Sequence, residues 1–495
     1  MRKELLVNTT PPETRVAVLE DGRVVEVMHE RRGRQGLVGN VYLGRVHRVL
    51  PGIQAAFVSI GLDRDAFLYV EDAAAHSADL EPETAAAEQA PGTDRPRIDD
   101  LVKEGQEIVV QVTKDPMAAK GPRVTASISL PGRTLVYLPG ARDTGVSRRV
   151  EDEEERARLR AVLEALPGEG GWIARTAALN KSADDLASDR SYLAGLWERI
   201  ARRRATAGPP ALLHRELELA LRAVRDVATD DVDAIRVDDP ATLARMREFL
   251  EEAAPPLSRR LELYDREEPL FSRFGVETEI EDALKSRVAL ASGGSIVIHQ
   301  TEALVAIDVN TGRFVGKDDL EETVFAANLE AAREVARQIR LRDLGGLLVV
   351  DFIDMEDPGH RQELFQTFEK ELARDRARTR VLQISEFGLI EITRQRSRGN
   401  LERVLTRSCV ECGGSGRIKT DLTVALDLRR VLLSPPILFS PGQTVRVRVR
   451  PGVGKLLAEE DPRILEEVEK TLDVRVELTE EGLHSGPGFE IDRSD

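Results

Sequence analysis

The segment from Ser295 to Asp354 constrains the fold more strongly than any other part of this 495-residue chain. Two apolar strands are predicted close together, SIVIH at 295–299 and ALVAIDVN at 303–310, and a third, LLVVDFID, is predicted at 347–354. A long helix is predicted between the second and third strands, because apolar residues recur at helical spacing on one face. Those residues are Val324, Ala327, Ala331, Val335 and Ile339. A strand, a helix and an apolar strand in this order predict an α/β unit.

Acidic residues interrupt these apolar strands close to their ends. Asp308 and Asn310 lie two positions apart, so both side chains leave the strand on the same face, and Asp351 interrupts the run LLVV–FI. An ionised carboxylate inside such a strand is costly unless a cation satisfies it. Two aspartates on neighbouring strand ends can hold a Mg²⁺ ion that polarises a phosphoryl group and readies a water for in-line attack. Asn310 would orient a substrate oxygen or a metal-bound water.

An alternative explains the same residues without a metal, as polar strand ends that pair with arginine side chains or backbone amides. Asp354 is a further candidate ligand, but on a regular strand it would face away from Asp351, which lies three residues earlier. The residues by themselves leave both interpretations open.

The segment CVECGGSG at 409–416 contains both cysteines of the chain, Cys409 and Cys412. A C-x-x-C pair followed by glycines is typical of a metal knuckle, in which backbone N–H groups approach the sulfur atoms. A closed zinc site needs four ligands and no histidine lies in the neighbouring sequence, so two chains would each donate two thiolates to one shared ion. A redox pair is the alternative, although such motifs usually follow a strand and open a helix. Two inert thiols would explain neither the spacing nor the glycines.

Between residues 36 and 130 the chain has the pattern of a small barrel, with several short alternating strands and Gly-rich turns. Phe57 and Phe67 lie on successive predicted strands. On an oligonucleotide-binding barrel such aromatic residues stack unpaired bases, and Lys114 and Lys120 would meet phosphates. The alternative is that both phenylalanines belong to the barrel core.

Composition favours a soluble, cytoplasmic protein of several domains. No run of about 18 apolar residues occurs, which excludes a membrane-spanning helix. The net charge of −16 argues against a generic polycation that coats nucleic acid. A local basic groove stays compatible with that charge, because residues 374–419 hold 11 basic and 5 acidic side chains. An acidic, Ala- and Pro-rich stretch at 71–96 is predicted to be a mobile insertion in a barrel loop.

Taken together, these segments resemble the ribonuclease E/G family of bacterial endoribonucleases, and within it the G branch. The matching stretches run in the family's order from about residue 14 to residue 418. They are GNVYLGRVHRVLPGIQAAFVSIG, WIARTA, TEALVAIDVNTG, LEETVFAANLEAAREVARQIRLRDLGGLLVVDFIDM, LIEITRQRSR and CVECGGSGR. The combination of IDVN, GGLLVVDFIDM and the C-x-x-C knuckle makes the resemblance specific.

The resemblance implies Mg²⁺-dependent hydrolysis within single-stranded RNA, leaving a 5′-phosphate and a 3′-hydroxyl. It places the ion on Asp308 and Asp351, with Asn310 assisting as a third catalytic residue. It implies that Cys409 and Cys412 hold a structural Zn²⁺ ion shared by two protomers. The family context also implies roles in rRNA processing, tRNA processing and mRNA decay.

The resemblance further implies RNA contacts at two other places. The barrel residues that match RNA-contacting positions of the family are Phe57, Phe67 and Lys120, with Lys114 as a further candidate. The segment WIARTA becomes part of a pocket for a 5′-monophosphate. In that pocket Arg175 pairs with the phosphate and Thr176 hydrogen-bonds it, while the backbone near Val136 holds the terminal nucleotide.

The fold implied by the resemblance is a multidomain chain of the α/β and α+β classes. It combines an RNase H-like domain with an inserted OB-fold RNA-binding barrel, a 5′-sensor subdomain, a DNase I-like α/β catalytic subdomain, a zinc link and a small C-terminal α+β domain. The predicted boundaries are 1–35 and 221–283 for the two parts of the RNase H-like domain, 36–130 for the barrel, 131–220 for the sensor, 284–405 for the catalytic subdomain, 406–418 for the zinc link and 419–495 for the small domain.

The expected partners are single-stranded RNA with a 5′-monophosphate and a second copy of this chain joined through zinc, with a dimer of dimers as the larger assembly. No DNA partner is expected. Glu386 stands where E-type members have a basic residue, and no long disordered scaffold follows the small domain. We therefore expect neither a membrane tether nor a degradosome-like platform. A non-catalytic RNA-binding or assembly factor that keeps the barrel and the zinc staple is the alternative from another functional class.

Overall fold

The computed structural model describes residues 2–33, 36–74, 96–116, 120–142, 144–166, 169–229, 231–311, 320–385, 388–395, 400–434, 439–480 and 488–492. The chain divides into two units, residues 1–404 and 405–495. Most of the acidic insertion predicted at 71–96 lies outside the described residues, and so do Glu386 and residues 396–399 of the basic segment.

The strands are short and spread over the whole chain. In chain order they are β1 (Lys3–Thr10), β2 (Glu13–Glu20), β3 (Arg23–Arg31), β4 (Val41–Leu50), β5 (Ala55–Ser59), β6 (Ala66–Tyr69), β7 (Glu107–Lys114), β8 (Arg123–Thr125), β9 (Leu130–Pro131), β10 (Leu135–Leu138), β11 (Thr144–Val146), β12 (Gly171–Ala174), β13 (Ala211–His214), β14 (Val232–Val237), β15 (Leu261–Leu263), β16 (Arg287–Ala289), β17 (Ser295–Gln300), β18 (Leu304–Asn310), β19 (Gly346–Asp351), β20 (Thr379–Val381), β21 (Leu389–Arg394), β22 (Thr444–Val449), β23 (Arg475–Glu480) and β24 (Phe489–Asp492).

The helices lie mainly after residue 150. They are α1 (Val70–Ala73), α2 (Ile98–Leu101), α3 (Glu153–Ala165), α4 (Ala183–Thr206), α5 (Leu219–Asp226), α6 (Pro240–Ala253), α7 (Pro255–Ser258), α8 (Leu270–Arg273), α9 (Val276–Ala283), α10 (Leu320–Leu341), α11 (Pro358–Leu372), α12 (Leu401–Leu405), α13 (Asp421–Leu432), α14 (Pro451–Lys455) and α15 (Arg463–Leu472).

A five-stranded sheet joins the beginning of the chain to residues 232–263, in the strand order β15-β14-β1-β2-β3. The strand β1 pairs in parallel with β14 and antiparallel with β2. Helices α5, α6 and α7 supply buried residues to the core that this sheet forms. The two segments that were predicted as parts of one RNase H-like domain therefore contribute strands to one sheet.

The predicted small barrel is confirmed as a closed, OB-like barrel of five strands. Strand β4 pairs with β5, β5 with β6, β6 with β8 and β8 with β7, and β7 pairs back onto β4 to close the ring. Strand β13 pairs antiparallel with the first residues of β4. The barrel interior is filled by small and branched side chains, among them Val46, Ala56, Val58, Ala66 and Leu68.

A four-stranded sheet with the order β11-β12-β10-β9 follows the barrel and packs against α3 and α4. Both helices begin at side-chain caps: Asp152 accepts hydrogen bonds from the first turn of α3, and Ser182 accepts one from the N–H of Asp185 in α4. Strand β12 is the predicted WIA segment, and its four residues are buried.

The α/β unit predicted from 295–354 is the centre of a six-stranded sheet with the order β16-β17-β18-β19-β21-β20. Strands β18 and β19 are parallel neighbours, and α10 connects them. The predicted helix stripe, Val324 to Ile339, is buried against one face of this sheet together with residues of α11. The other face of the sheet is open, since residues at alternate positions of β18 and β21 are exposed. The third strand is shorter than predicted, because it ends at Asp351 rather than at residue 354.

The second unit contains a three-stranded sheet with the order β23-β22-β24, and α13, α14 and α15 contribute to its core. The mixed α/β architecture predicted from the sequence is thus confirmed. The assignment of RNase H-like, sensor and DNase I-like subdomains, their boundaries and the zinc link stay predictions. Among the described residues, no helix has both the length and the apolarity needed to cross a membrane.

Candidate active site

The two aspartates singled out by the strand pattern lie side by side. Strand β18 pairs with β19 in a parallel register that sets Asp308 directly opposite Asp351. Neighbouring strands lie about 4.8 Å apart, so the two carboxylates leave the sheet within reach of one common ion. Val305, Ile307 and Val309 point into the core, which turns Asp308 and the other alternate residues to the open face.

Asn310 lies on the same open face, as its spacing from Asp308 predicted. Its Nδ2 donates a hydrogen bond of 2.7 Å to Oδ2 of Asp308. The amide is therefore held against the carboxylate pair, and its carbonyl oxygen stays available to another group.

Asp354, the further candidate ligand, follows the end of β19, and the prediction that it faces away from Asp351 assumed a strand that continued to it. The strand ends at Asp351, so the following residues do not continue its alternation. The pKa of Asp351 is raised, first by partial burial and then by the negative charges of Asp308 and Asp354. The negative charge of Asp354 therefore acts on Asp351.

No Lys, Arg or His within the described part of the chain forms an ion pair with Asp308, Asp351 or Asp354. The alternative of polar strand ends paired with arginine is thus not seen here. Mutually repelling carboxylates with an adjacent amide form a donor set that suits a hard divalent cation with oxygen ligands. Two carboxylates suffice for Mg²⁺, which keeps several waters; in the described residues no group of three or more His, Cys, Asp or Glu side chains is arranged to hold a metal.

Helix α10 holds the turn that follows Asp351. Asn328 is fully buried, its Nδ2 donates to the carbonyl oxygen of Ile353 at 2.8 Å, and its Oδ1 accepts from the Ile353 N–H at 3.0 Å. Two turns earlier in the helix, the carboxylate of Glu321 accepts hydrogen bonds from the backbone N–H groups of Glu356 and Asp357. Sequence reasoning missed Asn328, although an amide beside the apolar stripe of a buried helix was a visible signal.

On the barrel, Phe57 and Phe67 lie on the outer surface rather than in the core. They pair across β5 and β6, with ring centroids 5.8 Å apart at an interplanar angle of 74°. The residues beside them, Ala56, Val58, Ala66 and Leu68, fill the barrel interior. The two rings are only half-buried, so the alternative that they belong to the barrel core is wrong.

Cationic side chains lie next to these two rings on the neighbouring strands of the barrel. The strand registers set Arg48 opposite Phe57, Arg123 opposite Phe67 and Lys114 opposite Arg123. Arg123 is paired with Asp72, and Lys114 is exposed. Lys120, also exposed, lies just before β8. Sequence reasoning missed Arg48 and Arg123, because only the strand register shows that they lie in line with the rings.

The three residues of the predicted phosphate pocket lie on two adjoining strands and the turn after them. Val136 pairs with Ile173, and two positions further along, the Arg175 N–H donates to the carbonyl oxygen of Thr134. Residues two apart share a face, so Val136 and Arg175 lie on the same side of this sheet. Thr176 begins a short 3₁₀ turn and is exposed.

The guanidinium of Arg175 is oriented by a carboxylate far away in the sequence. Its Nη1 and Nη2 each lie 3.1 Å from Oδ1 of Asp226, and Nη1 also donates to the carbonyl oxygen of Gly132. Burial alone would raise the pKa of Asp226, but Arg225 and then Arg175 outweigh it and lower that pKa to about 2. Asp226 therefore stays ionised at neutral pH and keeps Arg175 in place.

A second carboxylate holds the backbone beneath this pocket. Asp189 of α4 is buried and accepts the N–H groups of Thr134 at 2.7 Å and Leu135 at 2.8 Å, as well as the Thr134 hydroxyl at 2.9 Å. An ionised carboxylate has two oxygens that can each accept more than one hydrogen bond, so Asp189 fixes this loop at several points at once. The sequence did not reveal Asp189 or Asp226, because each acts on residues about 50 positions away.

In the second unit, the cysteine pair has the form expected of a metal knuckle. Cys409 is exposed and Cys412 is half-buried. The pKa of the Cys412 thiol is lowered, chiefly because the backbone N–H groups of Gly416 and Gly414 point at its sulfur. Both glycines have positive φ, 69° and 94°, a conformation that a residue with a Cβ rarely adopts. The glycines after C-x-x-C thus turn backbone donors towards a thiolate.

The chain is similar to known proteins over most of its length. A family model described as the ribonuclease E/G family matches residues 129–397. The chain is 43% identical to ribonuclease G of Escherichia coli strain K12 and 42% identical to ribonuclease G of Haemophilus influenzae, with 99% of each chain covered in both cases. It is also 38% identical to ribonuclease E of Escherichia coli strain K12, over 87% of this chain and 40% of that protein.

Proposed function

We propose, on the premise that this chain belongs to the ribonuclease E/G family, that it cuts single-stranded RNA internally at the Asp308–Asp351 pair with the help of Mg²⁺. It is an endoribonuclease, a hydrolase of phosphodiester bonds. The products would carry a 5′-phosphate and a 3′-hydroxyl, and a 5′-monophosphate on the substrate would stimulate cleavage.

The observation that carries the proposal is the register that places Asp308 opposite Asp351 on the open face of the sheet. When bound there, a Mg²⁺ ion would polarise the scissile phosphate and lower the pKa of a water molecule. Asp308 and Asp351 would hold that ion, and Asp354 would add negative charge beside it. Asn310, fixed by its bond to Asp308, would orient a phosphate oxygen or a water.

In this reaction the oxygen of a water molecule forms a bond to phosphorus and the bond from phosphorus to the 3′-oxygen breaks. The leaving 3′-oxygen is recovered as a hydroxyl, and the phosphate stays on the downstream fragment as its 5′-end. The chain's contribution is to place the phosphate between the acidic pair and Asn310 so that attack and departure are in line.

The barrel would bind the single-stranded RNA. Phe57 and Phe67 present ring faces at its surface, and Arg48, Lys114 and Lys120 present cations beside them. Stacking on exposed rings together with phosphate contacts is the usual way in which proteins hold single strands. The rings of Phe57 and Phe67 are only half-buried and do not fill the barrel core, which supports a role in RNA binding.

The direct test of the function uses a labelled oligonucleotide in two versions, one with a 5′-monophosphate and its twin with a 5′-hydroxyl. We expect cleavage with Mg²⁺ and none with excess EDTA, and we expect the monophosphorylated version to be cut faster. Mapping of the product ends must give a 5′-phosphate and a 3′-hydroxyl. A 2′,3′-cyclic phosphate product would contradict the proposal, because it would show attack by the ribose rather than by water.

Arg175→Ala should remove the preference for the monophosphorylated version. A charge-assisted guanidinium–phosphate contact contributes about 1.5–3 kcal/mol, so kcat/KM on that substrate should fall by about 10- to 100-fold. The value for the 5′-hydroxyl twin should not change. Arg204→Ala, which removes an exposed arginine from the last turn of α4, is the matched control. An undiminished preference in Arg175→Ala would reject the pocket.

Asn328→Ala should impair cleavage through the turn after Asp351. The change leaves the Ile353 N–H and C=O without their partner, which should lower the free energy of unfolding by about 2 to 4 kcal/mol. Because the turn positions Asp351 and Asp354, the Mg²⁺ concentration for half-maximal activity should rise by about tenfold. Ile339→Ala, on the same buried face of α10, controls for stability loss alone and should leave that concentration unchanged. Identical Mg²⁺ curves for both variants would show that Asn328 has only a structural role.

We further propose that the cysteine knuckles of two chains share one Zn²⁺ ion and thereby form a homodimer, which could pair again into a tetramer. Each chain offers two thiolates, and a closed zinc site takes four. The RNA substrates we propose are precursors of rRNA and tRNA and mRNA in decay, met in the cytoplasm.

A further inference from the structure

A groove along helix α11 has no assigned role. It has a volume of about 540 Å³ and lies between one face of α11 and the segment that follows β20. The lining residues of α11 recur at intervals of three and four, so they form one stripe along the helix. They include Arg361, Gln362, Phe365 and Gln366, and the opposite wall includes Gln383 and Ser385.

The groove lies on the side of the sheet that α10 and α11 cover, and both of its walls connect to the strand end that carries Asp351. Asp351 is paired with Leu389 on the neighbouring strand. The Leu389 N–H donates to Oγ of Ser385 at 3.2 Å, and the Ser385 N–H donates to the Leu389 carbonyl oxygen at 2.9 Å. The helix on the other side begins at Pro358, seven residues after Asp351. Both walls are therefore tied to the strand end that carries Asp351.

The chemistry of the lining suits a base rather than a phosphate chain. Three exposed amide side chains, those of Gln362, Gln366 and Gln383, make no hydrogen bond to another residue within the described part of the chain. A glutamine amide carries donors and an acceptor side by side and can bond the edge of a nucleobase at two points. Phe365 is half-buried, with part of its ring on the core and the rest in the groove.

One cation completes the set. Arg361 is exposed and spends one N–H on the carbonyl oxygen of Glu356, at 3.3 Å. Its other donors are free to meet a phosphate at the mouth of the groove. The lining also includes the carboxylate of Glu369, which disfavours a phosphate but can accept a hydrogen bond from a base. Aromatic rings, amides and arginine are groups with which proteins bind unpaired, splayed-out bases of RNA.

We propose that this groove receives one unpaired nucleobase of the RNA, adjacent to the scissile phosphate, and so contributes to the choice of cleavage site. The proposal rests on the proposed function, since it takes the acidic pair as the place of cleavage. Arg361 would contact the backbone of that nucleotide, Phe365 would stack on the base, and the amides of Gln366 and Gln383 would bond its edge.

The test combines substrate and protein changes. Oligonucleotides with a single abasic nucleotide at successive positions around the cleavage site are compared for the wild type and for a double variant, Gln366→Ala with Gln383→Ala. For the wild type, kcat/KM should fall by about tenfold at one abasic position. The double variant should lose about tenfold on the intact oligonucleotide and lose little more at that same position. Phe365→Leu, which keeps the apolar contact with the core, should behave similarly.

Binding measured in EDTA by fluorescence anisotropy separates the two proposals. One outcome is that the abasic nucleotide weakens binding (raises Kd) for the wild type but not for the double variant, while no RNA is cut with Mg²⁺. In that case the groove proposal stands and the proposed function fails. If RNA is cut but the abasic effects are the same for wild type and variant at every position, the groove proposal is overturned and the function stands. Glu363→Ala, an exposed residue of α11 outside the groove, is the matched control and should change nothing.

Discussion

Asp308→Asn and Asp351→Asn are each expected to lower the rate of RNA cleavage by at least about a thousandfold while RNA binding is kept. A metal-held phosphate and water contribute several kcal/mol to the transition state, and about 1.4 kcal/mol corresponds to a factor of ten in rate. Each substitution removes one of the two carboxylates that face each other across β18 and β19. Binding of RNA in EDTA should be equal or tighter, because a negative charge near the phosphates is lost.

The stability of these variants distinguishes a lost metal ligand from a folding defect. The pKa of Asp351 is raised in the folded protein, by burial and by the charges of Asp308 and Asp354. A carboxylate with a raised folded-state pKa destabilises the fold at neutral pH, where it is ionised, so neutral asparagine should not lower the free energy of unfolding in the absence of Mg²⁺. For Asp351→Asn we therefore expect an equal or higher melting temperature together with the loss of cleavage.

Glu391→Gln is the matched control for this experiment. Glu391 lies on the same open face of the sheet, opposite Val349 on the strand that ends in Asp351. The Glu391→Gln variant loses an exposed carboxylate from the same face of the sheet and should keep nearly wild-type turnover. Wild-type turnover in either aspartate variant would reject the metal site. The alternative of a non-catalytic RNA-binding factor would instead be supported if the wild type itself cut no RNA with Mg²⁺.

Cys409→Ser is the second change with a large expected effect, conversion of a zinc-linked dimer to monomers at micromolar concentration. Structural zinc in small sites contributes about 10–16 kcal/mol of apparent binding free energy. Each chain offers two sulfur atoms to the shared site. When the variant removes one sulfur from each of the two chains, only two ligands are left, and a structural zinc site needs four. Sedimentation velocity gives the mass, and metal analysis should give one zinc per two chains in the wild type and none in the variant.

Ser408→Ala changes the neighbouring residue without touching either sulfur, and this control should stay dimeric with its zinc. Chelation of the wild type should reproduce the monomers of the cysteine variant. A wild type that is dimeric without zinc would refute the shared site. A zinc-free wild type with a reversible Cys409–Cys412 disulfide would instead support the redox alternative, for which the lowered pKa of Cys412 is equally suited.

Local patterns were sufficient where the relevant partner lies close in the chain. The spacing of Asp308 and Asn310 predicted a shared face, and the two side chains are hydrogen-bonded to each other. The C-x-x-C-G-G pattern predicted backbone donors at a sulfur, and Gly414 and Gly416 supply them. The third strand was predicted to reach residue 354 but ends at Asp351, because the point at which a strand ends depends on what captures its backbone.

The capture of this backbone depends on contacts across long stretches of chain, and the sequence does not show which residues are the partners. Asn328 binds Ile353 across 25 positions, Asp226 binds Arg175 across 51 and Asp189 binds Thr134 across 55. Each of these side chains reads as an ordinary polar residue until a packed helix brings it to its partner. The row of Arg48, Arg123 and Lys114 beside the barrel rings depends in the same way on strand register.

The sequence by itself therefore determined the element types, the family and the residue types available for chemistry, since these follow from short-range periodicity and from motifs within a few residues. Only the tertiary structure decided which carboxylates meet, which side of the barrel the rings occupy and which groups orient Arg175. The physical reason is that a side chain's protonation, orientation and reach depend on neighbours in space, and in a sheet those neighbours are set by register between strands that are far apart in the chain.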